Sequence, residues 1–283
     1  ENVIPVVNQA LLEANVALSD IQVIGVTYGP GLVGALLVGV AVAKSLSYAC
    51  DIPLVGVNHL EGHIFANFLS HPNLEPPFVA LVVSGGHTSL VHVKGYNEFT
   101  LLGQTLDDAV GEAFDKVARV MKLPYPGGPH IDRLAKEGNP QAISFPRALS
   151  GKDNFSFSFS GLKSAVLNYL NSAAQKGEMV NQADVAASFQ AAVIDVLAEK
   201  TFQAIEVRQV DKVVLAGGVA ANSALKARLQ LECNRRGNAL YFPDPVLCTD
   251  NAAMIACRAH YQHQIGKHAP LSLNAIPSLK LGE

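Results

Sequence analysis

His59 and His63 stand four residues apart in the run Asn58-His59-Leu60-Glu61-Gly62-His63. Four residues are close to one helical turn, so in a helix both imidazoles leave the same face and can grip a single metal ion. The order of the residues decides which metal chemistry is open. In the H-E-x-x-H pattern of zinc proteases, the Glu lies about 100° round the helix from the first His and can act as general base. Here Glu61 follows His59 by two positions, about 200° round, and points away from an ion held by the pair. The spacing permits a metal site and argues against a protease base. A surface or helix-capping histidine pair is the alternative reading of the same residues.

A second chemical signal is repeated. Val82-Val83-Ser84-Gly85-Gly86 and Val214-Leu215-Ala216-Gly217-Gly218 are both apolar runs that end in a small residue and two glycines. Paired glycines at a strand end let the backbone approach a ligand closely and aim free N–H groups at an anion. One copy reads as a tight turn; two copies point to a nucleotide-type cleft. Neither G-x-x-x-x-G-K-[ST] nor G-x-G-x-x-G is present, so neither a P-loop nor a dinucleotide fingerprint applies.

The elements that must position these residues alternate in type. Val3, Val6, Val7, Ala10, Leu11 and Ala14 have helical spacing, residues 21–27 read as a buried strand, 32–48 as a helix and 53–57 as another strand leading into the histidine helix. This order predicts an α/β fold with a parallel or mixed sheet. The proline-rich stretch 71–77 marks a hinge. Residues 78–83, 88–94 and 99–103 then read as a three-strand meander, and 108–121 as a helix, with a further short helix over 131–136. The Phe/Ser alternation of 155–159 predicts a strand with one buried face. Helices are predicted over 162–174, 183–208, 222–236 and 251–264, and strands over 212–216 and 240–242.

Bulk properties narrow the class. The 283 residues are 49% apolar and 16% charged, which excludes a disordered chain. A net charge of −3 shows no global basic field for nucleic acid, so RNA binding would need a confined patch or a partner protein. Cys50, Cys233, Cys248 and Cys257 form no C-x-x-C pair and read as reduced thiols of a cytoplasmic protein. The uncharged run 29–43 is shorter than the ~20 residues of a membrane span and contains three glycines after its first, so a buried helix and no membrane role are expected. No signal peptide is recognisable, and the chain opens on Glu1 inside a helix, as though a preceding segment were absent.

Eight ordered motifs carry a specific resemblance. They are Tyr28-Gly29-Pro30-Gly31-Leu32-Val33-Gly34, the His59/His63 run, Val83-Ser84-Gly85-Gly86-His87-Thr88 and Gly111-Glu112-Ala113-Phe114-Asp115-Lys116, followed by Tyr125-Pro126-Gly127-Gly128-Pro129, Phe157-Ser158-Phe159-Ser160-Gly161-Leu162-Lys163, Gly217-Gly218-Val219-Ala220-Ala221-Asn222 and Cys248-Thr249-Asp250-Asn251. Together they resemble the bacterial TsaD family, the tRNA N6-adenosine threonylcarbamoyltransferases once described as O-sialoglycoprotein endopeptidases. The resemblance implies an actin/Hsp70/sugar-kinase-like fold, two ribonuclease-H-like lobes with a nucleotide cleft between them. It implies transfer of a threonylcarbamoyl group from threonylcarbamoyl-AMP to N6 of the adenosine 3′ of the anticodon, in tRNAs that read codons beginning with A. It also implies His59, His63 and Asp250 as ligands of one divalent metal, Fe2+ favoured and Zn2+ possible. Val82, Val83, Ser84, Gly85, Gly86, Asp115, Gly128, Asp132 and Asn222 would hold the adenylate.

The same resemblance implies three partners besides the tRNA: the degenerate paralogue TsaB, the ATPase TsaE, and an enzyme that makes the adenylate. It divides the chain into a first lobe over 1–76, a second over 77–250 and a C-terminal helix and tail over 251–283 that return to the first. Family members begin with about fifty residues that this sequence does not match, so the first lobe is expected to lack its N-terminal strands. A metalloendopeptidase and a non-catalytic nucleotide-binding scaffold are the competing functions. For Asp115 and Asp132 the competing roles are helix capping and surface ion pairs. His87 reads as a cleft residue or a hydrogen-bonded structural histidine, and Lys163 as the start of a helix.

Overall fold

Apolar runs and helical periodicities become alternating strands and helices in the computed structural model, which describes residues 2–149 and 154–282. The first part comprises α1 (Val3–Ala14), β1 (Ile24–Gly29), α2 (Val33–Cys50), β2 (Leu54–Asn58) and α3 (His59–Ser70). The meander β3 (Phe78–Val83), β4 (Thr88–Gly95) and β5 (Glu98–Gln104) follows, then α4 (Val110–Val120) and α5 (Gly127–Ala135). The chain continues through α6 (Ser160–Lys176), α7 (Gln182–Arg208), β6 (Lys212–Ala216), α8 (Ser223–Arg236), β7 (Ala239–Tyr241), the single turn α9 (Pro245–Cys248) and α10 (Ala252–Gln264).

Two sheets organise these elements. β1 and β2 form a parallel pair. The second sheet runs β5-β4-β3-β6-β7, antiparallel through the meander and parallel from β3 to β6 to β7. All six residues of β3 are buried, because both faces of this sheet are covered. Alternation sorts them: Val79, Leu81 and Val83 pack with residues of α4, α6 and α7, while Phe78, Ala80 and Val82 pack with Leu60, Ile64 and Phe65 of α3.

The histidine helix is therefore central. α3 presents Phe65 to the large sheet, while its Ala66 joins Val55 and Val57 of the small sheet and Met254, Ile255 and Ala259 of α10. Every residue from Leu60 to Phe68 is buried. Asn67 anchors it further, its side-chain amide donating to the Leu215 carbonyl of β6 at 3.2 Å. The tail after α10 turns back over the small sheet, with the Ala269 N–H donating to Leu54 O and the Ile276 N–H to Tyr28 O, each at 2.7 Å. Gly29 permits that approach, since a Cβ there would lie 2.1 Å from the Ile276 carbonyl.

Three expectations are corrected. Residues 155–159 form no strand; Phe157 makes one isolated bridge to Thr105. Phe157 and Phe159 are buried as the alternation demands, but Asp107 accepts the Phe159 and Ser160 N–H groups and the Ser158 and Ser160 hydroxyls, turning the chain into α6. Although partial burial pushes the Asp107 carboxyl up, these hydrogen bonds pull it down to about 2. The expected buried helix after β1 is buried on one stripe only, Leu36, Val40, Ala43 and Ser47. This 18-residue helix is long and apolar enough to cross a membrane by length and composition. Its Lys44 donates to Leu273 O of the returning tail at 3.1 Å. The short helix foreseen at 131–136 starts earlier, at Gly127.

Candidate metal centre and nucleotide cleft

Asn58 sets where the histidine helix begins. It holds an extended backbone, and its side-chain oxygen accepts the Leu60 N–H at 3.0 Å, which caps α3 and leaves His59 as the first helical residue. Its amide nitrogen donates to Lys280 O of the returning tail at 2.9 Å. His63 lies one turn on, with its ring edge-on to His59 and the centroids 4.8 Å apart. Asp250, just before the Asn251 cap of α10, brings Oδ1 to 3.3 Å from His59 Nε2 and 3.2 Å from His63 Nε2. One ligand atom from each residue lies within 4.8 Å of the others.

This donor set fits a metal ion. His63 is almost completely buried, yet neither ring nitrogen makes a hydrogen bond of acceptable geometry, despite the short approach to Asp250. A buried imidazole left unsatisfied and aimed at a carboxylate is the arrangement that a bound cation completes. The imidazoles beside Asp250 hold its carboxyl well below the usual carboxylate range, so it offers an anionic oxygen. Two nitrogens and one oxygen leave coordination positions open, as at catalytic sites.

Glu61 points away from the cluster and serves another purpose. Its Oε2 accepts from Nε of Arg258 on α10 at 2.6 Å, with both side chains buried. The Arg258 guanidinium lies over the Phe65 and Phe99 rings at 4.8 and 5.1 Å. Its Nη1 donates to Tyr96 O at 3.0 Å and to Asn97 Oδ1 at 2.8 Å, at the turn between β4 and β5. The ion pair fastens α3 to α10 on the side opposite the metal ligands.

Beside the cluster lies a cavity of about 510 Å³, which reaches Thr249, the neighbour of Asp250. Gly85 and Gly218, one from each glycine pair, line it. β3 and β6 are adjacent and parallel, so Gly85-Gly86 and Gly217-Gly218 emerge side by side at their C-terminal ends, where α/β sheets bind ligands. Gly217 has φ +91°, and a Cβ on it would lie 2.4 Å from Val83 O. Gly85, Gly86 and Gly218 face open space instead.

The cavity wall includes Gly85, Asp115, Gly128, Asp132 and Asn222 of the expected adenylate residues. Val82 and Val83 are fully buried in β3, and Ser84 accepts the His87 N–H with its hydroxyl at 3.1 Å. Gly86 adjoins the cavity without lining it. Asp115 spends one oxygen on the Gly127 N–H at 2.7 Å and keeps the other. Asp132 accepts the Ser223 hydroxyl and N–H at the start of α8. Asn222 caps α8 through Leu225 N and donates to Gln190 Oε1, so its amide is committed to the fold. Sequence reasoning did not find Tyr125, Arg133, Lys136, Gly111 and Thr249 in this wall. For Gly111, Tyr125 and Thr249, membership in the Gly111–Lys116, glycine–proline and Cys248-Thr249-Asp250 motifs was the available signal. His87 is half-buried, and burial, followed by the fields of His59 and His63, holds its imidazole below the ordinary range.

Two α/β units, parallel strand ends with paired glycines and a nucleotide-sized cavity next to a three-ligand cluster define a protein of the actin/Hsp70/sugar-kinase type. Solved structures agree with that fold. T. kodakarensis HypF aligns with a TM-score of 0.68 at 14% identity, covering 91% of this chain and 42% of that one. Full-length HypF in a phosphate- and nucleotide-bound form gives 0.61 at 15% identity, over 79% of this chain and 38% of that one. A sequence profile of the TsaD family, tRNA N6-adenosine threonylcarbamoyltransferase, matches residues 1–257. The enzyme of that name from Clostridium botulinum strain 657 is 59% identical over 278 residues, 98% of this chain and 82% of that protein. The Clostridium beijerinckii protein is 58% identical over 283 residues, 100% of this chain and 84% of that protein. The chain belongs to the TsaD family.

Removing one partner of the buried Glu61–Arg258 pair strands the other charge, so Glu61→Ala is expected to lower unfolding stability by about 3–5 kcal/mol. Denaturant titration measures this; a loss below about 1 kcal/mol contradicts a structural role for the pair.

Proposed function

We propose that this chain transfers the threonylcarbamoyl group of threonylcarbamoyl-AMP to N6 of the adenosine 3′ of the anticodon in tRNAs reading A-starting codons. The observation that carries this reading is the contact of the nucleotide-sized cavity with the His59–His63–Asp250 cluster through Thr249. That arrangement lets a nucleotide lie in the cavity with its acyl phosphate toward the cluster. The N6 amine attacks the carbamoyl carbonyl, the mixed-anhydride C–O bond breaks, AMP leaves with the electron pair and the amine proton is released. His59, His63 and Asp250 would hold the metal, Fe2+ by family preference with Zn2+ equally suited to the ligands. When bound, it supplies Lewis acidity at the carbonyl and phosphate oxygens.

The remaining groups bind and orient. Open backbone N–H groups at Gly85 and Gly86 are available to an anionic oxygen. Asp115, with one carboxylate oxygen free, accepts a ribose hydroxyl, and Asp132 retains lone pairs beside Ser223 for a second. Gly128 leaves the wall open to the base, and the backbone of Val82 to Gly86, rather than the buried valines, forms the phosphate side. The endopeptidase reading has no support from Glu61, which is held by Arg258.

Partners follow from the apolar face of the first lobe. α1 has no buried residue, and Leu12 is 75% exposed. Leu32, Val33, Leu37 and Val38 at the start of α2 are exposed as well. Such a surface suits a protein partner, for which we propose the TsaB paralogue, with the ATPase TsaE completing the assembly. We place the reaction in the cytoplasm, where its tRNA is found and where free thiols such as these persist.

Single-turnover transfer from labelled threonylcarbamoyl-AMP to unmodified tRNA tests the activity. The parent with its partners should transfer and His59→Ala/His63→Ala should not, with AMP binding retained by both. Equal transfer by the variant contradicts the reading. Leu12→Arg should abolish co-purification with the paralogue; unaltered capture moves the interface elsewhere.

A further inference from the structure

Beyond the metal end, the same cavity has a second rim with different chemistry. Tyr125, Arg133 and Lys136 line it there, and all three are exposed, Tyr125 at 85%. Pro124 and Pro126 flank Tyr125 and restrict its backbone, so the ring stands in solvent at small entropic cost. Arg133 and Lys136 are three residues apart at the end of α5 and project from one side of it. Neither side chain has an ion pair or hydrogen bond among the described residues, although Glu137 adjoins Lys136. Several cations in this part of the chain are held, Lys94 by Glu98, Arg147 by Asp195 and Lys163 by Asp108, and of those that are not, Arg133 and Lys136 line the cavity. Asp132, beside Arg133, is turned to Ser223.

We propose that Tyr125, Arg133 and Lys136 form the single-stranded RNA contact of the cleft, with Tyr125 stacking on a base that flanks the acceptor adenosine and the two cations holding adjacent phosphates. This rests on the transferase reading and adds the surface that receives the RNA. An exposed aromatic ring next to unpaired cations is the combination that binds unstacked bases and backbone together. The adenylate has no matching need. Its single phosphate belongs at the Gly85-Gly86 end beside the metal ligands, and its adenine is neutral. The two acids of the same wall are engaged, Asp115 by the Gly127 N–H and Asp132 by Ser223, which leaves Arg133 and Lys136 as its cations without a side-chain partner.

Two titrations decide it, one with AMP and one with an anticodon stem-loop RNA carrying the acceptor adenosine, both followed at several salt concentrations. Arg133→Glu/Lys136→Glu should weaken RNA binding by at least about tenfold and flatten its salt dependence. Tyr125→Ala should weaken it by about tenfold with the salt slope unchanged, and Tyr125→Phe should restore it, because the ring and not the hydroxyl stacks. AMP affinity should fall by a clearly smaller factor than RNA affinity in each variant, because these side chains line the same cavity but the adenylate contacts are Gly85, Asp115, Gly128, Asp132 and Asn222. RNA binding indifferent to these changes, or RNA and AMP binding lost in parallel, overturns the assignment. Transfer by the parent with its partners is scored separately. If it proceeds while RNA binding ignores the variants, the surface is wrong and the transferase reading stands. If the parent does not transfer, that reading fails, and the titrations still decide the surface.

Discussion

The buried ion pair between Glu61 and Arg258 is the constraint on which the candidate centre depends. His59 and His63 ride on α3, Asp250 immediately precedes α10, and this pair fixes one helix against the other. Burying two charges is costly unless their geometry is good and their remaining donors are satisfied. Both conditions hold, because Arg258 also bonds the β4–β5 turn and lies over two phenylalanine rings. The same contact ties the metal helix to the large sheet. A shift of α3 relative to α10 would separate imidazoles from carboxylate and expose the pair at once, which gives the ligand triangle its rigidity.

The cleft rests on a second constraint, the adjacency of two parallel strands. β3 and β6 deliver one glycine pair each to the same edge, and Gly217 can pass Val83 so closely only because it lacks a side chain. Two open backbone turns result where α4, α5 and α8 converge. Asp132 and Asn222 spend their polar atoms largely on the start of α8, so part of what looks like ligand chemistry is the framework that shapes the cavity. Binding and scaffolding are not separate sets of residues here.

Much of this was legible in local sequence. The histidine spacing, the twin glycine runs and the meander follow from periods of 3.6 and 2 and from turn chemistry, and the strand over Phe78–Val83 came out at its observed limits. The geometry behind Glu61 was half legible: its direction away from the ion followed from helix angle, but Arg258 lies 197 residues on and no local pattern names it. Asp250 entered through family resemblance for the same reason. The Phe/Ser alternation misled because side-chain capture by Asp107 outcompeted ladder pairing, an effect that periodicity does not register. Arg133 and Lys136 were passed over because exposed cations on a helix are ordinary until a cavity is known beside them.

The central claim is that His59, His63 and Asp250 act as one site for one metal ion, preorganised by the packing of α3 on α10. Equilibrium metal binding to the purified chain, with Fe2+ under anaerobic conditions and with Zn2+, tests it most directly when the parent is compared with His63→Ala and Asp250→Ala. The account predicts one ion per parent chain and loss of that ion in either variant, with AMP binding unchanged. Undiminished metal binding by both variants would contradict it.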